Sequence, residues 1–147
     1  MAQDRNVTTV WTGDLGSGSG KLTAGTGAFT DLGISAATRF GEPQGSTSPE
    51  ELIAAAHSGC YAMNLAATLS HNGTPPESIN ANSVVTVQEK QGGGFEVTTS
   101  KLTVTAKVPG LSNEQFQEFA KKAEETCPIS NALRGNLKIT LDATLES

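Results

Sequence analysis

Apolar and polar positions along the chain change period several times, and the changes mark out its elements. The longest coherent stretch runs from Ser48 to His71, SPEELIAAAHSGCYAMNLAATLSH. Its apolar residues, from Leu52 to Leu69, go most of the way round a 3.6-residue cylinder, which predicts a central helix with protein on both sides. The start signals agree with this period. Ser48 can cap, Pro49 fits the first helical position, and Glu51 stands three residues after Ser48 as in a capping box. Glu50 and Glu51 also suit the positive end of the helix dipole.

Ahead of this helix, Asn6 to Thr12 alternates as a strand, Gly13 to Gly20 reads as a turn, and Lys21 to Ala28 as the returning strand. Asp31 to Phe40 is expected to hold a short strand ending in Thr38-Arg39-Phe40, and the loop GEPQGST then leads into the helix. Behind the helix, NGTPPES is a turn, and Val84 to Lys90 and Phe95 to Val108 form a hairpin across Gln91-Gly92-Gly93-Gly94. Phe95, Val97 and Thr99 share one parity, whereas Leu102, Val104, Ala106 and Val108 share the other, so a bulge is expected near Ser100 and Lys101. Ser112 or Asn113 caps a helix to about Glu125 with Phe116, Phe119, Ala120 and Ala123 inward. Pro128 opens a second, short helix with Cys127 at or beside its N-cap, and Leu137 to Leu145 alternates as a last strand. The order predicts one α+β domain over residues 1–147 with a largely antiparallel sheet.

Charge and composition narrow the function. A net charge of −5 without a Lys/Arg cluster speaks against nucleic acid and anionic membranes as partners. The amino terminus has no apolar run of signal-peptide type, and the run at Leu52 to Ala56 is too short to span a bilayer, so a cytoplasmic protein without a membrane partner is expected. GSGSGK lacks the first glycine and the Ser/Thr of a phosphate-binding loop and reads as a flexible hairpin connection.

Few side chains offer chemistry. There is no G-x-S-x-G elbow. His57 and Cys60 share a helical face and would make half a metal site with His71 or Cys127. Without a CxxC knuckle, a hydrogen-bonded helical histidine is the simpler reading, and no metal is expected. Two thiols remain, Cys60 and Cys127. A buried helical cysteine is ordinarily a small hydrophobe. On local grounds Cys127 is the better activated, because a helix N-terminus favours the thiolate, whereas burial opposes ionisation of Cys60 unless a cation reaches it. Arg39 is one of few such cations in the chain.

SPEELIAAAHSGCYAMNLA, with TRF at Thr38 to Phe40, CPIS at Cys127 to Ser130 and the amino-terminal VWTGD, closely resembles the OsmC/Ohr family of osmotically induced and organic hydroperoxide resistance proteins, and the OsmC branch more than the Ohr branch. The resemblance covers almost the whole chain. It implies an OsmC-like fold, an intertwined homodimer with sheets wrapped around paired central helices, and a cysteine-based peroxidase reducing organic hydroperoxides in stress defence. It matches Cys60 to the peroxidatic cysteine, Cys127 to the resolving one, and Arg39 and Glu50 to the pair that poises the thiolate. Glu51 is left to capping, though the two adjacent carboxylates are interchangeable at this level. This reverses the local ranking of the thiols.

The implied chemistry needs no cofactor beyond an external dithiol reductant, for example of lipoyl type. Glu50 and Cys60 are ten residues apart, about 15 Å along a straight helix, so a shared site needs helices from two subunits. Ile53, Met63, Phe40 and Tyr61 are the candidates for apolar substrate contacts. The competing readings are inert structural thiols and a small-molecule binding module on the same dimeric fold.

Overall fold

The structure, a computed structural model, describes every residue except Pro43 and Ser147. The expected GEPQGST loop therefore lies partly outside the described residues. The chain forms two compact units, Met1–Leu52 and Ile53–Ser147.

In the first unit, β1 (Val7–Thr12), β2 (Ser19–Ala24) and β3 (Leu32–Ile34) make an antiparallel sheet in sequence order. The β1–β2 connection is organised by Asp14, whose carboxylate accepts from the Ser17 N–H at 2.9 Å and hydroxyl at 2.7 Å. β2 starts earlier and ends sooner than its alternation suggested, because Gly25 and Gly27 turn the chain after Ala24. Every residue of β1 is exposed, including Val7, Val10 and Trp11, while Leu22 and Ala24 of β2 are buried.

Thr38-Arg39-Phe40 is not a strand. It ends the short helix α1 (Ala36–Phe40), because Ser35 and Thr38 form a complete capping box that commits the backbone to a helical turn.

Helix α2 (Pro49–His71) starts as expected: the Ser48 hydroxyl accepts the Glu51 N–H at 3.1 Å. Within the second unit it buries His57, Tyr61, Leu65 and Leu69, one residue per turn. The opposite stripe of Ala55, Ala56, Gly59, Met63 and Ala67 is exposed, so within this unit one side of the helix meets protein, not both as expected.

β4 (Ser78–Glu89), β5 (Phe95–Lys107) and β6 (Lys138–Glu146) form the second sheet. β4 and β5 make the expected hairpin, and Gly92, Gly93 and Gly94 all take positive φ at its tip, a conformation glycine adopts at low cost. The bulge falls at Thr98, two residues before the expected place, where Thr86 and Val87 pair with Thr99 and Val97. β6 runs parallel to β5, the exception to an otherwise antiparallel pairing. A parallel neighbour needs a crossover, and helices α3 (Asn113–Thr126) and α4 (Pro128–Leu133) supply it. Phe116, Ala120 and Ala123 of α3, Leu102, Val104, Ala106 and Val108 from β5 and its end, and the buried stripe of α2 form one core.

Candidate functional site

The charged and sulfur-bearing candidates form two pairs. In the first unit, the Arg39 guanidinium donates to the Glu50 carboxylate from Nε at 3.2 Å to both oxygens and from Nη2 at 2.7 Å to Oε1. α1 presents the arginine and the first turn of α2 the glutamate, so the α1 cap that replaced the expected strand is what aims this fork. Glu50 is buried at 5% exposure. Arg39 keeps 35% of its side chain accessible and stacks 5.0 Å from the Phe40 ring. Glu51 is exposed and accepts the Thr47 hydroxyl at 2.7 Å, so the two adjacent carboxylates divide into an ion-pair partner and a helix-start group.

In the second unit, Cys60 on α2 and Cys127 between α3 and α4 stand with their sulfurs 3.4 Å apart, both as free thiols. Cys127 is fully buried and Cys60 partly so. Cys127 closes α3 and caps α4, with Pro128 fixing the turn. Asn64 stitches the same region: its amide donates to the Ala123 carbonyl at 2.7 Å and to Thr126 Oγ1 at 2.8 Å, satisfying an orphan carbonyl of the last α3 turn.

Burial is the largest influence on the Cys60 thiol and pushes its pKa up; the neighbouring Cys127 pushes the same way, and a hydrogen bond from the Ile129 backbone at the start of α4 opposes both. The α4 N-terminus thus acts on Cys60 as well as holding Cys127. A cavity of about 230 Å³ opens beside Cys60, lined by Met63, Asn64, Ala67 and Pro128. A larger cavity of about 580 Å³ near Lys107, Gly110 and Leu145 contains neither thiol. Of the residues considered for substrate contact, Met63 lines the cavity beside Cys60. Tyr61 instead belongs to the core, fully buried with its hydroxyl donating to the Ala120 carbonyl at 3.1 Å.

His57 holds no metal partner in this arrangement. Its Nδ1 is 2.6 Å from Ser100 Oγ and its Nε2 is 2.8 Å from Ser130 Oγ. Ser100 in turn meets Ser83 Oγ at 3.0 Å. No group of three or more metal-ligating side chains occurs among the described residues. Sequence reasoning placed His57 on the helix but did not foresee its serine partners. The available signal is that Ser100 shares the inward parity of Leu102 and Val104, a polar residue at a core position.

Burial dominates the His57 pKa and lowers it from 6.5, with Glu124 raising it and Arg134 lowering it by charge. The unfolded chain therefore binds a proton that the folded chain refuses. Stability is fully present above pH 6.5 and falls as pH drops from there toward the depressed folded-state value. Thermal melts between pH 8 and pH 5, as approximate limits, are expected to show that decline in the wild type and a flatter profile in His57→Gln. Parallel profiles would remove His57 as the cause.

The sequence from residue 41 to residue 142 matches the family model described as OsmC-like protein, a span that holds Glu50, Cys60 and Cys127 and starts just after Arg39. The chain belongs to the OsmC family. It is 36% identical over 137 residues to the protein named peroxiredoxin OsmC of Escherichia coli (strain K12), covering 93% of each chain. It is 28% identical to the organic hydroperoxide resistance protein OhrB of Bacillus subtilis (strain 168), covering 86% of this chain and 90% of that one. In fold it is similar to the crystal structure of an organic hydroperoxide resistance protein from Elizabethkingia anophelis, with a TM-score of 0.77 at 23% identity over 99% of this chain and 100% of that one. This OsmC-family protein is a peroxidase, with the stress-defence role that its relatives' names carry. No described helix is long and apolar enough to cross a membrane.

Proposed function

We propose that this OsmC-family peroxidase reduces organic hydroperoxides to alcohols on the Cys60–Cys127 pair, with both units acting as one OsmC-like domain. The observation that carries the reading is the 3.4 Å approach of a partly exposed sulfur, beside an apolar cavity, to a fully buried one. The Cys60 thiolate attacks the distal peroxide oxygen, the O–O bond breaks, and the departing alkoxide takes a proton to leave as the alcohol. Cys60 becomes a sulfenic acid. Cys127 then condenses with it, releasing water and forming a disulfide, which an external dithiol, for example of lipoyl type, reduces by exchange. No bound cofactor or metal takes part. The setting is the cytoplasm, with neither nucleic acid nor membrane as partner.

Burial pushes the Cys60 thiol up, and a cation at the thiolate would offset that cost. Arg39, held in a fork by Glu50, is the residue assigned to that role. The working form is an intertwined homodimer in which the central helices of two subunits cross and form two equivalent sites. The exposed small-residue stripe of α2 and the exposed Val7, Val10 and Trp11 of β1 support this assembly, since both would leave water in it.

The test is intact mass and free-thiol count of reduced protein after one equivalent of cumene hydroperoxide. The wild type is expected to lose two thiols to a disulfide, Cys127→Ser to hold a sulfenic or over-oxidised Cys60, and Cys60→Ser to stay unreacted. Reaction of Cys60→Ser alone would exchange the roles of the two cysteines. Absence of reaction in all three would end the mechanism and favour a binding module with inert thiols.

A further inference from the structure

We propose that the buried chain Ser83–Ser100–His57–Ser130 is a positioning device for disulfide formation, clamping the first turns of α4 onto α2 so that Cys127 is delivered to Cys60. The inference deepens the peroxidase mechanism above and rests on it.

His57 lies three residues before Cys60 on α2, and Ser130 three residues after Cys127 on α4, so the 2.8 Å bond between them joins the two cysteine-bearing turns. Helix α4 is held by few contacts of its own. It has six residues, and the buried residue it contributes is Ser130, a polar one. Its other side-chain ties reach toward α3: Asn131 donates to the Glu125 carbonyl at 3.2 Å, and Arg134, just past its end, pairs with Glu124 at 2.7 Å. Ile129 adds partly buried apolar packing against the core, but that contact is non-directional, whereas the hydrogen bond between His57 and Ser130 is directional and short.

His57, Ser100 and Ser130 are all fully buried, where apolar residues would fill the same space without desolvating polar atoms. Ser100 anchors the far side of His57 on β5, and Ser83 anchors Ser100 from β4. No described buried side-chain polar atom lacks a partner, so the chain fixes one geometry.

The step it serves balances internally. The Cys60 sulfenic sulfur is reduced as the Cys127 sulfur is oxidised; the S–OH bond breaks, the S–S bond forms, and the thiol proton leaves with the hydroxyl as water. The sulfurs must close from 3.4 Å to a bond length of about 2.05 Å, so a small displacement of α4 acts directly on this rate. Oxidation of Cys60 by peroxide does not require Cys127 to move.

The experiment separates the two rates. Reduced wild type, Ser130→Ala, Ser130→Thr and Ser100→Ala are mixed with one equivalent of cumene hydroperoxide and quenched over time with dimedone, and intact mass reports thiol, sulfenic adduct and disulfide. Ser130→Ala is expected to form the disulfide about tenfold more slowly while oxidation of Cys60 slows much less, through the Ile129 backbone contact alone, and Ser130→Thr, which keeps the hydroxyl, recovers most of the loss. Should Ser130→Ala not fold, Ser100→Ala cuts the same chain on the β5 side and is expected to show the same split. Disulfide formation at the wild-type rate in the alanine variants, or equal slowing of both steps, would overturn the proposal. A wild type that forms no Cys60–Cys127 disulfide would instead overturn the peroxidase mechanism itself.

Discussion

Arg39→Met is expected to slow oxidation of Cys60 by about 10²–10³-fold near neutral pH, the size of effect seen when one preorganised charge-stabilising group is removed from an active site. Burial raises the Cys60 pKa more than the Ile129 backbone lowers it, so the thiol alone is mostly protonated at neutral pH. In the proposed site the Arg39 guanidinium would offset that balance, and its removal would raise the pKa again. The pH–rate profile of Arg39→Met should therefore move to the alkaline side, with part of the lost rate returning as pH rises.

Arg39→Lys keeps the charge but not the planar fork that engages Glu50 through Nε and Nη2, so an intermediate loss is expected. Glu50→Gln keeps the shape but weakens the fork, and should also fall between wild type and Arg39→Met. Stopped-flow oxidation across pH for these variants is the measurement. A wild-type profile in Arg39→Met would remove Arg39 from the site.

Gly59→Arg is expected to convert the protein to a folded monomer whose turnover is lost by about 100-fold or more. Gly59 lies mid-helix on the exposed stripe of α2, where a Cβ would meet nothing within 4 Å in the single chain. Glycine there costs about 1 kcal/mol of helix stability relative to alanine, a cost that close approach of a second helix would explain. Ala55, Ala56 and Ala67 extend the same small surface, with Met63 exposed among them. Arginine on this stripe leaves the core of Tyr61, Leu65 and Leu69 untouched but would separate the central helices of the proposed homodimer. Light scattering gives the mass, circular dichroism the retained helix, and a coupled dithiol assay the turnover. A monomer with full turnover would sink the two-subunit site; an unchanged dimer would remove this stripe from the interface.

Local chemistry determined much of this protein. The Ser48 cap with Pro49, the apolar period of α2, the Ser112 cap of α3 and the Pro128 restart of α4 are each set by residues within a few positions of one another, and all are where the sequence puts them. The motifs around Cys60 and Cys127 likewise pointed to the family without tertiary information. Errors arose where two local signals competed: the β-favouring residues of Thr38 to Phe40 lost to the Ser35–Thr38 capping box, and the phase change in β5 marked a bulge without fixing its residue.

Other features depend on groups far apart in the chain. The parallel alignment of β6 follows from where the α3–α4 crossover lands, which alternation alone does not encode. The 3.4 Å meeting of Cys60 and Cys127 spans 67 residues, and the His57 bonds to Ser100 and Ser130 span 43 and 73. Local propensity carries no information across such separations. A buried histidine takes its role from the hydroxyls that packing brings to its two nitrogens, and the pKa of a thiol is set by the burial and dipoles that the fold gathers around it.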